Sequence, residues 1–326
     1  MSAALVTGAR GFLGAWIAKA LLERGERVVS LDRRKRSERP SAIGMLGIDS
    51  EIVQVEGELT DAPLISRTLS EHQIGTVYHL AAETIVSTVQ ASPVRGFESN
   101  VRGTWTVLEA CRDHGVERVL VASSDKAYGA HAELPYREDH ALRPTAPYEA
   151  SKAAADLIAR SYWHSYGVPV AVTRFANIYG GGDLNFSRLV PEAVSAVLDG
   201  RAPVLRSDGS PERDFLYVED AAAAYLVLAE NLHRDEVRGE AFNAGGGEPH
   251  SVREVVELIA RLGGTGVEAQ VRGEGNPAGE IDRQWVDPSK LRETCGWAPS
   301  IGLEEGMGRT IEWYRAHPEA RAPASG

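Results

Sequence analysis

The stretch Thr7-Gly8-Ala9-Arg10-Gly11-Phe12-Leu13-Gly14 decides the fold class of this chain of 326 residues. It follows a short apolar run, Ala3–Thr7, and leads into an amphipathic segment, Phe12–Arg24. Glycines at such a strand–helix junction let the backbone turn sharply and approach a pyrophosphate, to which the helix N-terminus offers free N–H groups. The stretch therefore predicts a dinucleotide-binding turn, and the alternative is a tight turn without a ligand.

The first half of the chain continues this alternation of short apolar runs and longer helical segments. The predicted strands are Ala3–Thr7, Arg27–Leu31, Ile52–Val55, Thr76–Leu80, Arg118–Ala122 and Val168–Thr173. Amphipathic segments such as Phe12–Arg24, Pro93–His114 and Tyr148–Tyr166 lie between several of them. This pattern predicts an α/β fold, a Rossmann-like doubly wound parallel sheet covered by helices on both faces.

The second half of the chain is less regular. Its predicted helices are Leu189–Leu198, Arg253–Leu262 and Leu303–Tyr314, with short strands and loops between them. We therefore expect a smaller mixed α/β C-terminal domain that covers the first domain as a lid.

The composition excludes several classes of protein. The net charge of −11 argues against a nucleic-acid partner, because such proteins usually carry basic surfaces. Cys111 and Cys295 do not have the spacing of a zinc site or a disulfide framework, so we expect no metal. There is no apolar run of about 18 residues, and the first residues pass straight into a predicted strand, which leaves no room for a signal peptide. These features predict a cytoplasmic enzyme without a membrane partner.

The end of the second predicted strand bears on the choice of cofactor. A carboxylate at Asp32 can accept hydrogen bonds from both ribose hydroxyls and repel a 2′-phosphate, which favours NAD over NADP. Arg10, Arg33 and Arg34 could instead bind a 2′-phosphate. We expect NAD.

Two further strand ends fit a dinucleotide. Glu58-Leu59-Thr60-Asp61 follows the third predicted strand, where an acidic residue could meet the adenine edge, although a solvated turn is an equal alternative. His79-Leu80-Ala81-Ala82 ends the fourth, and its small residues would let a dinucleotide lie across the strand ends.

A tyrosine and a lysine indicate the chemistry. Tyr148 and Lys152 are spaced i, i+4 in a predicted helix and so share one face. A tyrosine hydroxyl titrates near ~10, but a nearby ammonium and a positive nicotinamide ring would lower that pKa. Tyr148 could then remove the proton of a sugar hydroxyl as a hydride leaves the same carbon. Alone, the pair would be an ordinary surface pair, but the glycine loop upstream favours the functional interpretation.

The fifth predicted strand ends in Ser123-Ser124-Asp125-Lys126, at the edge where an open α/β sheet places its site. Ser124 could hydrogen-bond the reacting oxygen, while Asp125 and Lys126 could act as acid and base at neighbouring carbons. The alternative is a polar loop with a surface ion pair.

Spaced arginines in an acidic chain could clamp a diphosphate bidentately, although each alone would be an ordinary surface residue. The polar positions of this set are Arg174, Asn177, Arg188, Arg206, Arg213 and Arg283.

These motifs, in this order, resemble the extended short-chain dehydrogenase/reductases, the NAD-dependent epimerase/dehydratase family that acts on nucleotide sugars. The motifs are Thr7–Gly14, His79–Ala82, Asn100–Thr104, Tyr148–Lys152, Arg174–Gly180, Arg213–Asp220, Phe242–Gly247, Gly296-Trp297, Leu303–Gly306 and Trp313-Tyr314. The resemblance implies a tightly held NAD that is reduced and reoxidised in each turnover. It also implies a homodimer joined by the two long helices Pro93–His114 and Tyr148–Tyr166.

The resemblance and the motifs together give a full set of expected site residues. The cofactor-binding residues are Gly8, Arg10, Gly11, Phe12, Leu13, Gly14, Asp32, Arg33, Glu58, Leu59, Leu80, Ala81, Ala82, Asn100, Ser123, Tyr148 and Lys152. The substrate-binding residues are Glu83, Asn177, Arg188, Leu189, Val190, Arg206, Arg213 and Arg283. We expect residues 1–178 with about 215–244 to bind NAD, and about 179–214 with 245–326 to bind the nucleotide-diphosphate sugar.

The reaction within this family depends on the residues beside Ser124. Dehydratases usually carry Thr-Asp-Glu there, and many epimerases carry Ser followed by small residues. The pair Asp125-Lys126 resembles that of CDP-glucose 4,6-dehydratases and of inverting UDP-N-acetylglucosamine dehydratases. Gly180-Gly181-Gly182-Asp183 and Arg188-Leu189-Val190-Pro191 also resemble the CDP-glucose group, whereas Glu58 stands where the family usually has Asp.

Two reactions would begin alike, with Tyr148 taking the proton of the C4 hydroxyl. In a 4,6-dehydratase, Lys126 would then remove the C5 proton while Asp125 protonates the departing C6 hydroxyl, which yields an NDP-4-keto-6-deoxyhexose. A 4-epimerase needs no acid–base pair at C5 and C6, so the sequence favours the dehydratase. Two less favoured interpretations are an NAD(P)H-dependent keto-sugar reductase and a protein that binds the dinucleotide without catalysis.

Overall fold

A computed structural model describes residues 2–33, 41–264, 266, 269–275 and 281–321. Arg34, considered above as a 2′-phosphate ligand, lies outside these ranges. The strands are β1 (Ala3–Thr7), β2 (Val28–Asp32), β3 (Val53–Glu56), β4 (Ile74–His79), β5 (Arg118–Ala122), β6 (Val170–Phe175), β7 (Asn177–Tyr179), β8 (Val204–Leu205), β9 (Glu212–Tyr217), β10 (Ala241–Ala244), β11 (Pro249–Ser251), β12 (Gln270–Val271) and β13 (Arg283–Gln284).

The α-helices vary from a single turn to about five turns in length. They are α1 (Phe12–Glu23), α2 (Ala42–Met45), α3 (Ala62–Glu71), α4 (Val86–Ala91), α5 (Pro93–Phe97), α6 (Gly103–His114), α7 (Pro147–Tyr166), α8 (Leu189–Leu198), α9 (Val218–Asn231), α10 (Val252–Gly263), α11 (Ser289–Cys295) and α12 (Leu303–Ala316). Within the described ranges, none of these helices is long and apolar enough to cross a lipid bilayer.

Seven strands form one parallel sheet in the order β10-β6-β5-β4-β1-β2-β3, which confirms the predicted fold class. The six strands predicted from apolar runs are all present, with shifts of a few residues at some ends. The chain order reverses between β1 and β4, and open α/β sheets place their ligands in the crevice at such a switch point.

Both faces of this sheet are covered except at the edge strand β3, which explains why the other strands are apolar without alternation while β3 alternates. Along β1, Ala4 and Val6 pack into one core cluster while Ala3 and Leu5 pack into another on the opposite face. Helices α1 and α9 contribute to the first cluster, and α3, α6 and α7 to the second. Complete burial of a Val or Leu side chain stabilises the fold by about 1.5–3 kcal/mol, so the two clusters hold the helices against both faces of the sheet.

A second group of elements packs beside the carboxyl edge of the main sheet. Strand β9 pairs with β7, β11 and β13 in a small mixed sheet, and β8 pairs with β12. Helices α8, α10 and α12 enclose a third apolar cluster with these strands. This is the mixed α/β arrangement expected for the later part of the chain.

The predicted helix Pro93–His114 is not uniform. It consists of α5, a π-helical turn at Glu98–Arg102, and α6. A π-turn inserts one extra residue into the helical repeat and redirects side chains locally. Here it places the buried side chain of Asn100 beneath the loop that follows β4.

Candidate active site

A cleft of about 1790 Å³ runs along the carboxyl ends of the parallel strands. Most of the residues that the sequence predicts for the site line this cleft. They are Gly8, Arg10, Gly11, Phe12, Leu13, Gly14, Asp32, Arg33, Glu58, Leu59, Leu80, Ala81, Ala82, Ser123, Ser124, Asp125, Lys126, Tyr148, Lys152, Asn177, Arg188, Leu189, Val190, Arg206 and Arg213. Asn100, Glu83 and Arg283 do not line it.

The glycine loop has the shape of a cradle for a pyrophosphate. Gly8 has φ +79°, and a Cβ there would lie 3.0 Å from the backbone of Ala81. A Cβ on Gly14 would lie 2.3 Å from the carbonyl oxygen of Gly8, which is too close for any side chain. The loop closes through a hydrogen bond from Gly11 N to Gly8 O of 3.0 Å. These positions require glycine, and they leave backbone at the N-terminus of α1 open to a phosphate.

Asp32 lies where a ribose would meet the second strand. Its carboxylate accepts hydrogen bonds from the backbone N–H of Arg10 at 3.2 and 3.4 Å. Burial raises the pKa of Asp32 to about 6, and the Arg10 N–H opposes that rise. The Arg10 guanidinium lies 3.7 Å from Glu56, and the Arg33 guanidinium lies 3.8 Å from Glu83. Both arginines therefore face carboxylates, which supports NAD over a cofactor with a 2′-phosphate.

A buried hydrogen-bond chain fixes the strand ends under the cleft, and sequence reasoning missed it. Thr7 Oγ1 lies 2.9 Å from His79 Nδ1, and His79 Nε2 lies 3.1 Å from Thr104 Oγ1. The backbone N–H groups of Leu80 and Ala81 donate to Thr7 Oγ1 at 3.2 and 3.1 Å. Burial lowers the pKa of His79 to about 3, so this histidine is neutral and structural. Polar residues within apolar strands were the available signal.

Asn100 lies behind the cleft, although the resemblance places it at the cofactor. Its Oδ1 accepts the N–H of Glu83 at 2.6 Å, and its Nδ2 donates to Glu83 O at 3.0 Å and to Ser151 Oγ at 2.9 Å. All of its side-chain polar atoms are thus used within the protein. Asn100 thereby ties the loop after β4 to helix α7.

Glu83 and Arg283 also differ from their expected positions. The buried carboxylate of Glu83 lies 3.1 Å from Arg95 and is thereby committed to arginines at the rim of the cleft. The Nε of Arg283 donates to Glu212 at 2.7 Å, and its guanidinium stacks over Trp285. These ion pairs, which come from distant parts of the chain, account for where the two side chains lie, and their roles as substrate-binding residues stay predictions.

Tyr148 and Lys152 lie on the first turns of α7. Burial raises the pKa of Tyr148 to about 12, and the largest opposing effect is the positive charge of Arg188. Lys152 donates to the carbonyl oxygen of Ala122 at 2.9 Å, and burial lowers its pKa to about 8. The sequence predicted that Lys152 would lower the tyrosine pKa. In the structure the cation that lowers the tyrosine pKa is Arg188, while the carboxyl of Asp125 raises it.

Ser124, Asp125 and Lys126 form the start of a short 3-10 turn, Asp125–Tyr128, directly after β5. Ser124 Oγ donates to Asp125 Oδ1 at 3.0 Å and accepts the N–H of Lys126 at 3.2 Å. The ammonium of Lys126 lies 3.7 Å from Asp125 Oδ1 and 3.2 Å from Asn177 Oδ1. Asp125 Oδ2 is buried and has no hydrogen-bond partner among the residues that the structure describes. A ligand in the cleft would therefore meet a carboxyl oxygen and an ammonium side by side.

The cleft has a cationic end. Arg188, Arg206 and Arg213 all line it, and the Arg188 guanidinium is held by Asp183 at 3.0 Å. Arg213 donates to the carbonyl oxygen of Glu212 at 2.9 Å. The three guanidinium groups that line the cleft, here called its cationic wall, suit a diphosphate.

Arg174 does not belong to this wall. It is almost completely buried on β6 and forms a two-point ion pair with Asp156 of α7, at 2.7 and 3.0 Å. The sequence could not separate it from the cleft arginines. A single acidic residue, Asp156, follows several alanines in α7, and an acid at such a buried position could have indicated a buried arginine as its partner.

Asp214 is a further buried acid near the site that the sequence analysis did not single out. Its Oδ1 accepts the N–H of Gly246 at 2.7 Å, and its carbonyl oxygen accepts Asn177 Nδ2 at 3.2 Å. Burial raises the pKa of Asp214 to about 7, and the nearby carboxyl of Asp125 contributes to the rise. Across the described part of the chain, no three His, Cys, Asp or Glu side chains come together as metal ligands.

The profile of the family described as GDP-mannose 4,6 dehydratase matches residues 5–310. A dTDP-glucose 4,6-dehydratase from Xanthomonas campestris pv. campestris is 32% identical, over 96% of this chain and 93% of that protein. A UDP-glucose 4-epimerase from Halalkalibacterium halodurans is 30% identical, over 97% of this chain and 96% of that protein. The sequence relatives thus include both reactions.

Solved structures agree with the sequence relatives. A dTDP-glucose 4,6-dehydratase from Streptomyces venezuelae, solved with NAD bound, superposes with a TM-score of 0.88 and 30% identity. The superposition covers 99% of this chain and 99% of that one. The similarity therefore extends over the whole cleft.

Proposed function

The chain belongs to the GDP-mannose 4,6 dehydratase family, and from this we propose that it is an NAD-dependent nucleotide-sugar 4,6-dehydratase. It would convert an NDP-hexose into an NDP-4-keto-6-deoxyhexose. Its relatives are enzymes that act on nucleotide sugars, either as dehydratases or as 4-epimerases, and related structures contain NAD.

One observation carries the choice of a dehydratase. Asp125 and Lys126 lie 3.7 Å apart at the cleft that Tyr148 also lines, and Asp125 keeps one oxygen without a partner among the described residues. A 4,6-elimination needs an acid and a base at adjacent carbons in addition to the base at the C4 hydroxyl. A 4-epimerase needs only the latter.

The glycine loop and Asp32 fit the cofactor. Gly8, Gly11 and Gly14 would hold the pyrophosphate, and Asp32 would accept the ribose hydroxyls. When bound, NAD takes a hydride from C4 of the sugar and returns it, to C6 in a dehydratase or to the other face of C4 in an epimerase.

Tyr148 performs the first proton transfer. Its phenolate takes the proton of the C4 hydroxyl, and a hydrogen bond with Ser124 lowers the pKa of Tyr148. Burial keeps the tyrosine pKa high, and the positive charge of Arg188 offsets part of that rise, so that more of the tyrosine is present as the phenolate that can accept a proton.

Asp125 and Lys126 perform the second proton transfer, which eliminates water from C5 and C6. The ammonium of Lys126 first passes a proton to the carboxylate of Asp125, which leaves a neutral amine and a neutral acid. The C4 ketone acidifies the C5–H bond, and the amine of Lys126 takes that proton. The C5–H electron pair forms a C5=C6 double bond as the C6–O bond breaks, and Asp125 gives its proton to the oxygen that leaves as water. Lys126 returns a proton to C5 when the double bond is reduced. The C4 hydroxyl is thus oxidised and C6 reduced, with no net redox change.

We propose that residues 1–178 with about 215–244 hold NAD and that the remainder holds the nucleotide sugar. All seven strands of the main sheet fall in the first set, and Arg188 and Arg206 at the cationic end fall in the second. The two free cysteines, Cys111 and Cys295, fit a reducing, cytoplasmic location.

A homodimer is also proposed. Large apolar side chains are exposed on helices that neighbour one another, with Val94 of α5 at 73%, Trp105 of α6 at 44% and Leu157 of α7 at 57%. Exposed apolar side chains on one surface are typical of an interface, and a second copy of the chain would cover them.

The test is product analysis with a panel of nucleotide hexoses, each incubated with the enzyme without added cofactor. A dehydratase releases a product lighter by one water, with a methyl signal in the proton NMR spectrum. A product of unchanged mass and inverted C4 would instead establish the epimerase, the second candidate, which the 30% identical relative favours.

A further inference from the structure

The buried guanidinium of Arg174 connects two elements of the site. One is the helix that carries Tyr148 and Lys152, and the other is the turn that carries Asp125 and Lys126. Arg174 on β6 donates from Nε and Nη2 to both carboxylate oxygens of Asp156, at 2.7 and 3.0 Å. Asp156 belongs to α7, the helix that carries Tyr148 and Lys152. This two-point contact fixes both the position and the rotation of α7 relative to the sheet, since a planar guanidinium and a carboxylate match in one orientation.

The third nitrogen of the Arg174 guanidinium contacts the turn that carries Asp125 and Lys126. Nη1 donates to Tyr128 Oη at 3.1 Å and to the carbonyl oxygen of Glu138 at 3.2 Å. Tyr128 is the last residue of the turn that contains Asp125 and Lys126, and its hydroxyl donates to Asn243 Oδ1 at 2.8 Å. The guanidinium also lies 5.0 Å from the centre of the Tyr128 ring. The turn is therefore anchored at its end to the same arginine.

We propose that Arg174 is a positioning residue that sets the oxidation pair, Tyr148 and Lys152, in a fixed relation to the elimination pair, Asp125 and Lys126. Arg174 lies outside the cleft lining and is almost completely buried, so it acts through its partners and not on the sugar. The inference rests on the proposed dehydratase, in which the two pairs must serve adjacent carbons of one ring.

Stability does not by itself account for this arrangement. A buried ion pair is often no better for folding than apolar side chains of similar volume. Geometry does account for it, because misplacement of a reacting group by about 1 Å can cost on the order of 100-fold in rate.

Tyr128→Phe is the discriminating variant. It removes the hydroxyl that links Arg174 to the turn, and it leaves the pair of Arg174 with Asp156 unchanged. We expect C4 oxidation, followed in a single turnover by the absorbance of reduced NAD, to stay within about twofold of the parent enzyme. Elimination should slow by about 10–100-fold, so that reduced NAD accumulates.

Two further variants sharpen the comparison. Tyr162 lies on α7, the helix of Tyr148 and Lys152, and its hydroxyl bonds to Glu109 at 2.8 Å outside the cleft lining. Tyr162→Phe removes this hydroxyl as a matched control and should change neither step. Arg174→Lys keeps the charge but not the planar fork, so it loosens the contacts to both Asp156 and Tyr128, and both oxidation and elimination should slow. Thermal melting checks that each variant is folded, and Tyr128→Phe carries the test if Arg174→Lys is not.

The possible outcomes are distinct. If the parent enzyme eliminates water, three results for Tyr128→Phe overturn the positioning role alone. They are an equal loss of both steps, a loss of oxidation alone, and no loss of either step. A parent enzyme that forms only a C4 epimer overturns the dehydratase and this inference together.

Discussion

The ionisation of Asp32 should control the affinity for NAD. The carboxylate, and not the neutral acid, can accept hydrogen bonds from both ribose hydroxyls. Burial raises the pKa of Asp32 to about 6 in the cofactor-free protein. Because binding favours the ionised form, NAD binding weakens as the pH falls through 6, and binding below that pH releases a proton.

The size of the effect follows from that pKa. A carboxyl with a pKa of about 6 is about nine-tenths ionised at pH 7 and about one-tenth ionised at pH 5, so the dissociation constant of NAD should rise about tenfold over this interval. A tenfold change corresponds to about 1.4 kcal/mol.

The assay is calorimetric titration of NAD into protein that has been freed of bound nucleotide, at a series of pH values. Asp32→Asn is the control, since an amide keeps the shape of the side chain but cannot titrate. The variant should bind NAD more weakly than the parent at pH 7 and nearly as well at pH 5. A variant with the same pH dependence as the parent would refute the assignment of the titration to Asp32.

Three further predictions concern the loop, the acid–base pair and the exposed helices. Gly14→Ala places a Cβ 2.3 Å from Gly8 O, and overpacking of this kind costs about 1–3 kcal/mol. The variant should therefore bind NAD more weakly in a titration. The control is Gly308→Ala, whose Cβ meets nothing within 4 Å, and this variant should bind NAD as the parent does. Lys126→Met should reduce NAD in the presence of substrate but form less than about a hundredth of the dehydrated product, measured by chromatography, and equal product yields would contradict the role of Lys126 as base. Leu157→Asp should shift the protein from dimer to monomer in sedimentation velocity, and an unchanged sedimentation coefficient would contradict an interface there.

Five of the predicted strands of the main sheet are buried on both faces, whereas the edge strand β3 is largely exposed and β10 was not predicted. Strands buried on both faces can be predicted because they appear in the sequence as short unbroken apolar runs, and β1 and β5 have the predicted bounds. The cleft-lining residues could be predicted for a related reason. They follow the carboxyl ends of those strands, and parallel strands bring these ends to one edge.

The residues that differ from expectation are those whose partners come from distant parts of the chain. Asn100 lies in a π-turn, and helical periodicity does not distinguish one extra residue in a turn. The carboxylate of Glu83 is drawn to Arg95, and Arg283 is drawn to Glu212. Local sequence contains no information on such pairings.

The arginines likewise show that local sequence does not predict contacts with distant residues. Arg174 and Arg188 have the same chemistry and lie fourteen positions apart, yet one is buried against Asp156 and the other lines the cleft. Only the packing of β6 against α7 separates them. Spacing alone therefore predicted a cationic wall and could not define its members.

The most direct test of the proposed elimination is the position of solvent-derived hydrogen in the product. With its nucleotide hexose, the enzyme working in heavy water without added cofactor should form a 4-keto-6-deoxy sugar that carries deuterium at C5, because Lys126 exchanges its proton with solvent before returning it. NMR of the product measures this directly. Deuterium at C5 supports the elimination by Asp125 and Lys126, and a product without deuterium anywhere on its ring would contradict it.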